Sequence, residues 1–390
     1  MKKVLCFIIA VIMCIGVSAC QSSTSAPSET TSPVATSSST SVSTSETSQT
    51  GVVIPKDLPM KQIAVMYPNW TTQEALLKKS ALEQLESTFN VRFIFVEQGN
   101  SLESSLAALE TVLQQDIDGI IGGTSAAGLK ACADAGNVPI VFNGNMSAEI
   151  MKTASEYPNF LGNVASDLYQ GGVECAIALY EAGCRKVGAI GIPLGIAPSM
   201  DDRYYGFKDQ VDKYPDMEII ASDFSMGLFA NAISSFAAAY PEMDGLFSEV
   251  TNEMILQTLN TEGLVGKVKY AGFDFSSTTA EYFENGTLVY DIGGHYANTL
   301  FAFAVMYNYL YDGTMIISDT ETPILGNEFG VGSAEEYNLF MKYSSTESRV
   351  FDANEVAAMI MGFNPDFSPD MFAELVTSYS LEDLVARRTK

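Results

Sequence analysis

Aromatic, amide and hydroxyl side chains follow several apolar segments of the chain, at the points where those segments end. They are Tyr67, Asn69, Trp70, Thr124, Ser125, Asn143 and Asn145 in the first half, and Arg203, Thr251, Asn252, Asp274 and His295 in the second. A hydroxyl-rich molecule needs donors and acceptors at its edges, and its C–H faces pack well on aromatic rings. Arg203 adds a planar fork that makes two directed hydrogen bonds at once. We therefore predict that these residues line a binding site for a neutral polar molecule.

Four of these residues also have a structural interpretation. Trp70 could pack over the first helix, and Arg203 could pair with a neighbouring aspartate at the surface. Asp274 could cap the helix that follows it, although a cap can also face a ligand. For His295, ligand contact and an ordinary structural role are equally compatible with the sequence.

No enzyme signature accompanies these residues. The chain has a single His and no His/Glu cluster, which argues against a catalytic metal site. It contains no Gly-x-Ser-x-Gly nucleophile elbow and no Walker phosphate loop. The segment Ile121-Gly122-Gly123-Thr124-Ser125 could hold a phosphate but lacks the six-residue dinucleotide fingerprint. We predict a protein that is not an enzyme and requires neither cofactor nor metal.

The elements that must position these residues alternate between strand and helix. Apolar strands are predicted at 62–67, 91–96, 119–122, 139–143 and 160–164, and a second series begins at 186–190 and ends at 288–292. Such alternation predicts parallel sheets with right-handed crossovers, and two series predict two doubly wound α/β lobes. Ligands of open α/β sheets bind outside the carboxyl ends of the strands, so the predicted site lies between the lobes.

Five stretches of this sequence carry a family resemblance. They are Val164-Ala165-Ser166-Asp167-Leu168-Tyr169-Gln170-Gly171-Gly172, Arg203-Tyr204-Tyr205-Gly206-Phe207, Asp244-Gly245-Leu246-Phe247 with Thr251-Asn252-Glu253-Met254, Ala271-Gly272-Phe273-Asp274, and Gly286-Thr287-Leu288. In type and order they resemble segments of the type I periplasmic (solute) binding proteins, especially the ribose and galactose-binding branch. The resemblance implies a non-enzymatic receptor that closes on a small ligand and delivers it to an ABC-type importer.

The resemblance also implies a three-segment hinge, with crossovers near Val164–Ser166, Gly293–Gly294 and Thr322–Gly326. The first lobe would comprise residues 60–164 plus 294–322. The second would comprise 165–293 plus 323–390, including a C-terminal extension after residue 326 that has no assigned role.

Two adjacent residues depart from the sugar-binding pattern of this family. Where ribose-binding members carry an Asp-Arg pair, this chain has Gly144-Asn145, which removes a charge and a bidentate donor. A nucleoside or modified sugar therefore stays open as the ligand. A sensor that presents its closed form to a chemoreceptor or histidine kinase stays open as the alternative function.

The N-terminal residues predict export and a lipid anchor. Lys2 and Lys3 precede an apolar run, and small residues lead to Cys20, which is typical of a signal peptide at 1–19 with a lipobox. Twenty of the thirty residues from 21 to 50 are Ser or Thr, which predicts a disordered tether over 20–59. We expect an extracytoplasmic lipoprotein that two acyl chains would anchor stably to a cell membrane. We expect that cell to be Gram-positive.

The charge of the chain limits the kinds of partner that it can bind, and the spacing of its cysteines argues against a metal site. Loss of residues 1–19 would remove two lysines and move the formal charge from −26 to −28, which disfavours nucleic acid and anionic lipid surfaces. Cys132, Cys175 and Cys184 have no metal-like spacing and are predicted to be small buried residues. We expect a monomer with two partners, a small ligand and the membrane permease of an ABC importer. The ligand is expected to be sugar-like, with a nucleoside as the alternative.

Overall fold

A computed structural model describes residues 51–250, 253–294, 297–345 and 349–389. The predicted signal peptide, Cys20 and the Ser/Thr-rich segment up to residue 50 lie outside the described residues. So do three of the predicted site residues, which are Thr251, Asn252 and His295.

Twelve strands occur in the described part of the chain. They are β1 (Lys61–Tyr67), β2 (Val91–Glu97), β3 (Gly119–Ile121), β4 (Ile140–Asn143), β5 (Phe160–Ser166), β6 (Lys186–Ile190), β7 (Glu218–Asp223), β8 (Gly245–Ser248), β9 (Lys269–Phe273), β10 (Leu288–Gly293), β11 (Ile324–Gly326) and β12 (Phe329–Val331). Most are apolar runs with both faces buried, as parallel strands covered by helices require.

Helices connect and cover these strands. They are α1 (Gln73–Glu83), α2 (Glu86–Phe89), α3 (Leu102–Val112), α4 (Ala126–Asp134), α5 (Ala148–Ser155), α6 (Leu168–Glu181), α7 (Pro198–Val211), α8 (Phe229–Ala239), α9 (Glu253–Thr261), α10 (Thr279–Glu284), α11 (Ala297–Asp312), α12 (Ala334–Tyr343), α13 (Ala353–Ala357), α14 (Pro369–Ser378) and α15 (Leu381–Arg388). The sequence predicts one helix over 74–89, but Gln84 and Leu85 separate α1 from α2.

The strands form two six-stranded sheets. The first has the order β11-β5-β4-β3-β1-β2 with every pair parallel. The second has the order β12-β10-β9-β8-β6-β7, in which only the β10–β12 pair is antiparallel. The predicted fold class, two doubly wound parallel α/β lobes, is confirmed. We call each sheet with its packed helices the first and the second lobe.

The chain passes between the two sheets after β5, after β10 and between β11 and β12. These passages follow Ser166, Gly293 and Gly326, close to the positions expected from the sequence. Gly294 has a φ of +81°, and a Cβ there would lie 2.8 Å from the rings of Phe329 and Phe340. Glycine at this passage therefore satisfies both a left-handed turn and a close approach to aromatic rings.

Residues 323–390, predicted to belong to the second lobe, are divided between the two lobes: β12 pairs with β10 in the second sheet, whereas β11 and the helices after α12 pack with the first. β11 pairs with β5 in the first sheet. Aromatic and aliphatic side chains of the extension share one hydrophobic core with α11 and the first sheet, namely Phe351, Phe363, Phe372, Val376, Tyr379 and Leu384. Because α11 is buried on all faces from Ala297 to Asn308, its outer side needs a second layer of cover. The extension provides that cover for the first lobe.

Cys132, Cys175 and Cys184 are buried and form no disulfide, in agreement with their predicted packing role. Burial raises the pKa of the Cys132 thiol to about 11, so it stays protonated. Within the described residues, no helix has the length and apolar character needed to span a bilayer. No group of three or more His, Cys, Asp or Glu in that part of the chain could hold a metal ion.

Candidate ligand-binding cleft

The carboxyl ends of the strands in each sheet carry the polar side chains. Tyr67 and Asn143 end β1 and β4 of the first lobe, and Asp274 directly follows β9 of the second. This is the edge at which open α/β sheets bind ligands, because helix N-termini and exposed loop groups converge there.

Arg203 and Asp274 form the centre of the second-lobe wall. Arg203 extends from α7, is 4% exposed, and lies with its guanidinium carbon 4.2 Å from the centroid of the Phe273 ring. Its Nη1 donates to Asp274 Oδ2 at 3.0 Å and to the Glu249 carbonyl at 2.6 Å, and its Nη2 donates to Asp274 Oδ1 at 3.3 Å. Burial opposes its charge, but Asp274 and Glu328 outweigh that and raise the pKa of Arg203.

The structural interpretations of these two residues are wrong. Arg203 pairs with Asp274 in the interior and not with a neighbouring aspartate at the surface. Asp274 does not cap a helix, because Thr278 occupies the N-cap position of α10. The φ of Asp274 is +66°, a left-handed conformation that aspartate tolerates better than most residues. This turn directs the carboxylate back onto Arg203.

Glu249 was not predicted from the sequence. It follows β8, is 1% exposed, and its Oε2 accepts a hydrogen bond from the Ile192 N–H at 2.9 Å. Burial raises the pKa of this carboxyl to about 7. A Cβ on Gly191 would lie 2.2 Å from the Glu249 carboxyl carbon, so a larger residue there would require the Glu249 side chain to move. An acidic residue directly after a buried strand is the one signal by which the sequence could have indicated it.

Tyr67 and Trp70 form an aromatic pair on the first-lobe wall, with ring centroids 5.3 Å apart. The indole N–H of Trp70 donates to the Val96 carbonyl at 3.0 Å, and its ring lies 4.9 Å from Phe95. These contacts agree with a packing role for Trp70, as in its structural interpretation, and leave only its ring surface for a ligand. Asn69 is exposed and accepts from the Thr71 N–H at 2.7 Å, which forms the turn into α1.

Three other first-lobe candidates differ in burial and in their hydrogen-bond partners within the protein. Thr124 is buried, and Ser125 caps α4 by accepting from the Gly128 N–H at 3.3 Å. Asn143 is half-buried and donates to Thr299 Oγ1 at 2.8 Å. Ser125 and Asn143 thus use part of their hydrogen-bonding capacity within the first lobe.

Asn145 holds the backbone at the first hinge passage. Its amide donates to the Ser166 carbonyl at 2.9 Å and accepts from the Ser166 N–H at 3.3 Å, next to the first hinge passage. The same side chain is close enough to Asp202, on α7 of the second lobe, to favour the charged form of its carboxylate. Burial and the neighbouring Asp201 raise the pKa of Asp202, and Asn145 partly offsets that. Asn145 therefore lies near an acidic residue of the second lobe where the family pattern would place an arginine.

The geometry can be compared with known proteins. Residues 69–310 match the family described as "Periplasmic binding protein domain", which is more than half of the chain. The chain belongs to the periplasmic binding protein family. A curated relative of this binding protein is the ribose operon repressor of Halalkalibacterium halodurans, 25% identical over 201 residues. Those residues are 50% of this chain and 56% of the repressor, so the chain spans about half the length of that relative.

Solved structures share the fold of this binding protein at low sequence identity. An ABC transporter solute-binding protein from Actinobacillus succinogenes with bound D-allose has a TM-score of 0.60 and 20% identity, covering 71% of this chain and 99% of that one. One from Burkholderia graminis in complex with D-arabinose has a TM-score of 0.61 and 15% identity, covering 73% and 98%. One from Agrobacterium vitis with alpha-D-tagatopyranose has a TM-score of 0.59 and 20% identity, covering 70% and 95%.

Proposed function

We propose that this protein captures a small sugar or sugar-like molecule between its lobes and delivers it to an ABC-type importer. The observation that carries the proposal is the buried Arg203–Asp274 pair at the carboxyl edge of the second sheet. A guanidinium and a carboxylate side by side offer a donor and an acceptor to neighbouring hydroxyl groups. The sugars bound by proteins of the same fold support this class of ligand.

The two lobes supply a mechanism that requires no chemical step. A ligand held by one lobe gains contacts with the other only in the closed form, so it shifts the population toward closure. The permease then distinguishes the closed form from the open one. Asn145 of the first lobe lies near Asp202 of the second, so opening would separate these two side chains.

The remaining parts of the proposal concern location. With the predicted signal peptide and an acylated Cys20, the protein would work outside the cytoplasm with a lipid anchor on a cell membrane. The Ser/Thr-rich segment between Cys20 and the folded part would act as a tether, and the folded part would work as a monomer.

A thermal-shift screen of the purified chain against pentoses, hexoses, nucleosides, amino acids and polyols tests the proposal. A ligand at 100 times its dissociation constant stabilises the folded state by about 2.7 kcal/mol, which raises the melting temperature by several degrees. Stabilisation by a sugar, confirmed by calorimetry, is the expected result. Stabilisation by an amino acid alone, or by no member of the panel, would contradict the proposal.

A further inference from the structure

A second buried ion pair lies on the first-lobe wall, next to Tyr67. Lys78 of α1 is 6% exposed, and its ammonium contacts the Glu74 carboxylate one helical turn earlier. The same Nζ lies 3.4 Å from the Tyr67 hydroxyl and 4.4 Å from the centroid of the Tyr67 ring. Burial opposes the charge of Lys78, but Glu74 and Tyr67 raise its pKa, so the ammonium stays charged. Lysine is rarely buried without such partners.

This pair lies at the edge of the first sheet that corresponds to the position of Arg203 and Asp274 in the second. Tyr67 ends β1 and Glu74 is in the first turn of α1, so both lie at the carboxyl edge of the first sheet. Glu74 is close enough to Arg203 to contribute to the raised pKa of that guanidinium. Its side chain is 28% exposed, and that of Asp274 is 34% exposed, so the carboxylate of each pair remains accessible from solvent.

A purely structural role gives a poor account of the Lys78–Glu74 pair. Removing the Lys78 ammonium from water costs several kcal/mol, and hydrophobic residues in place of a buried charge pair often stabilise a protein as well or better. A charged pair beside an aromatic side chain at a ligand-binding edge is better explained by a role in ligand binding than by a role in stability. It offers a strong acceptor and a strong donor at fixed positions.

We propose that Glu74 and Lys78 bind ligand directly and, with Arg203 and Asp274, select an uncharged sugar that presents a diol to each lobe. This inference rests on the proposed function. In each diol, one hydroxyl donates to the carboxylate and its neighbour accepts from the cation. Each wall is neutral as a pair, so a phosphate or carboxylate on the ligand would bring an uncompensated charge into a partly desolvated space.

Calorimetric titration of the full chain with the sugar found by the screen tests this inference. Glu74→Gln keeps the shape of the side chain, and Lys78→Met keeps most of its apolar length. Each is expected to raise the dissociation constant at least tenfold. Glu83→Gln, at an exposed position of α1 where Glu83 pairs with Lys79 at 3.8 Å, is the matched control and is expected to change it less than twofold.

Analogues of the sugar extend the test to the ligand. The terminal phosphate ester and the uronic acid of the same sugar are expected to bind the unaltered chain at least tenfold more weakly. Folded Glu74→Gln protein with unchanged affinity would overturn the inference, even if Lys78→Met fails to fold. Failure of the unaltered chain to bind any sugar would overturn the proposed function as well.

Discussion

The guanidinium of Arg203 and the carboxylate of Asp274 meet edge to edge, with Nη1 3.0 Å from Oδ2 and Nη2 3.3 Å from Oδ1. Arg203 is 4% exposed, whereas the Asp274 side chain is 34% exposed. The arginine is therefore less accessible to solvent than the aspartate, and a third hydrogen bond, from Nη1 to the Glu249 carbonyl, helps to fix its position. The two side chains are thus held side by side at the end of β9.

Arg203→Lys is expected to weaken sugar binding at least tenfold, or about 1.5–3 kcal/mol for a charge-assisted hydrogen bond. Lysine keeps the charge but cannot pair with Asp274 through two parallel bonds. Calorimetric titration measures the change. Arg185→Lys is the control, because Arg185 pairs with Asp216 on the surface of the same lobe at 2.8 Å. Equal dissociation constants for the two variants would remove Arg203 from the binding machinery.

Glu249 makes the stability of the protein depend on pH. Its pKa is raised from 4.5 to about 7 in the folded protein, chiefly by burial. Between these values the folded state keeps a proton that the unfolded state has lost, so the free energy of unfolding falls as pH rises from about 4.5 to 7. One pKa unit is worth about 1.4 kcal/mol, so the loss is at most about 3 kcal/mol.

Glu249→Gln cannot ionise and is expected to lose this contribution to the pH dependence. Urea unfolding at pH 5 and pH 8 should show a smaller difference for the variant than for the unaltered protein. Glu110→Gln, at an exposed position of α3, controls for the removal of a charge. A pH dependence in Glu249→Gln as steep as that of the control would refute this assignment.

Trp70 is the only tryptophan and should report on ligand binding through Tyr67. Its ring lies 5.3 Å from that of Tyr67, and its N–H is already bonded to Val96. A ligand that contacts Tyr67 should shift the emission maximum without greatly altering the indole hydrogen bond. A fluorescence titration with the same midpoint as calorimetry is expected, and an unchanged spectrum at saturation would place both rings outside the site.

The C-terminal extension should be essential to the stability of the first lobe. Phe351 is 2% exposed, lies 5.3 Å from the Phe301 ring and is covered by Arg387 at 3.9 Å. Phe351→Ala is expected to lower the free energy of unfolding by about 3–5 kcal/mol, which thermal or urea unfolding would measure. Met371→Ala, at a position on α14 that is 46% exposed, should lower the free energy of unfolding by less than about 0.5 kcal/mol. Similar losses in both variants would mean that the extension is not part of the core.

The lipid anchor has a separate test in cells. Cys20→Ala removes the thiol that a lipobox would acylate, so the protein should appear in the medium. Fractionation followed by immunoblotting measures the distribution. Ser22→Ala, two residues further on, serves as the control and should stay with the membrane. Retention of Cys20→Ala in the membrane fraction would be incompatible with the predicted anchor.

Apolar periodicity was sufficient to predict most of the fold. β6 has the predicted bounds Lys186–Ile190, and most other strands agree to within one or two residues, because their side chains are buried on both faces. The short strands β11 and β12, and the helices α5 and α12, were not predicted. β11 and β12 have only three residues each, and their pairing partners lie more than thirty residues away in sequence.

The candidate site was harder to predict because the role of a charged residue depends on the tertiary contacts that it makes, which local sequence does not show. The Glu74–Lys78 spacing is typical of an exposed helix face, where such pairs are common. Only the tertiary structure places Lys78 under Tyr67 and buries it. Arg203 and Asp274 were predicted as individual residues, but their pairing joins α7 to the end of β9 across seventy-one positions. No local pattern carries that information.

The shared core of the first lobe sets an order for folding. Leu58 and Leu384 belong to the same hydrophobic cluster, so this lobe uses residues from both ends of the described chain. The sheet of the second lobe lies between Lys186 and Val331 and is complete before α13, α14 and α15 of the extension have been synthesised. Contacts between distant residues form slowly because a long loop must close first. A chain that is cut short near its C-terminus therefore loses part of the core of its first lobe, the lobe built from its earliest residues.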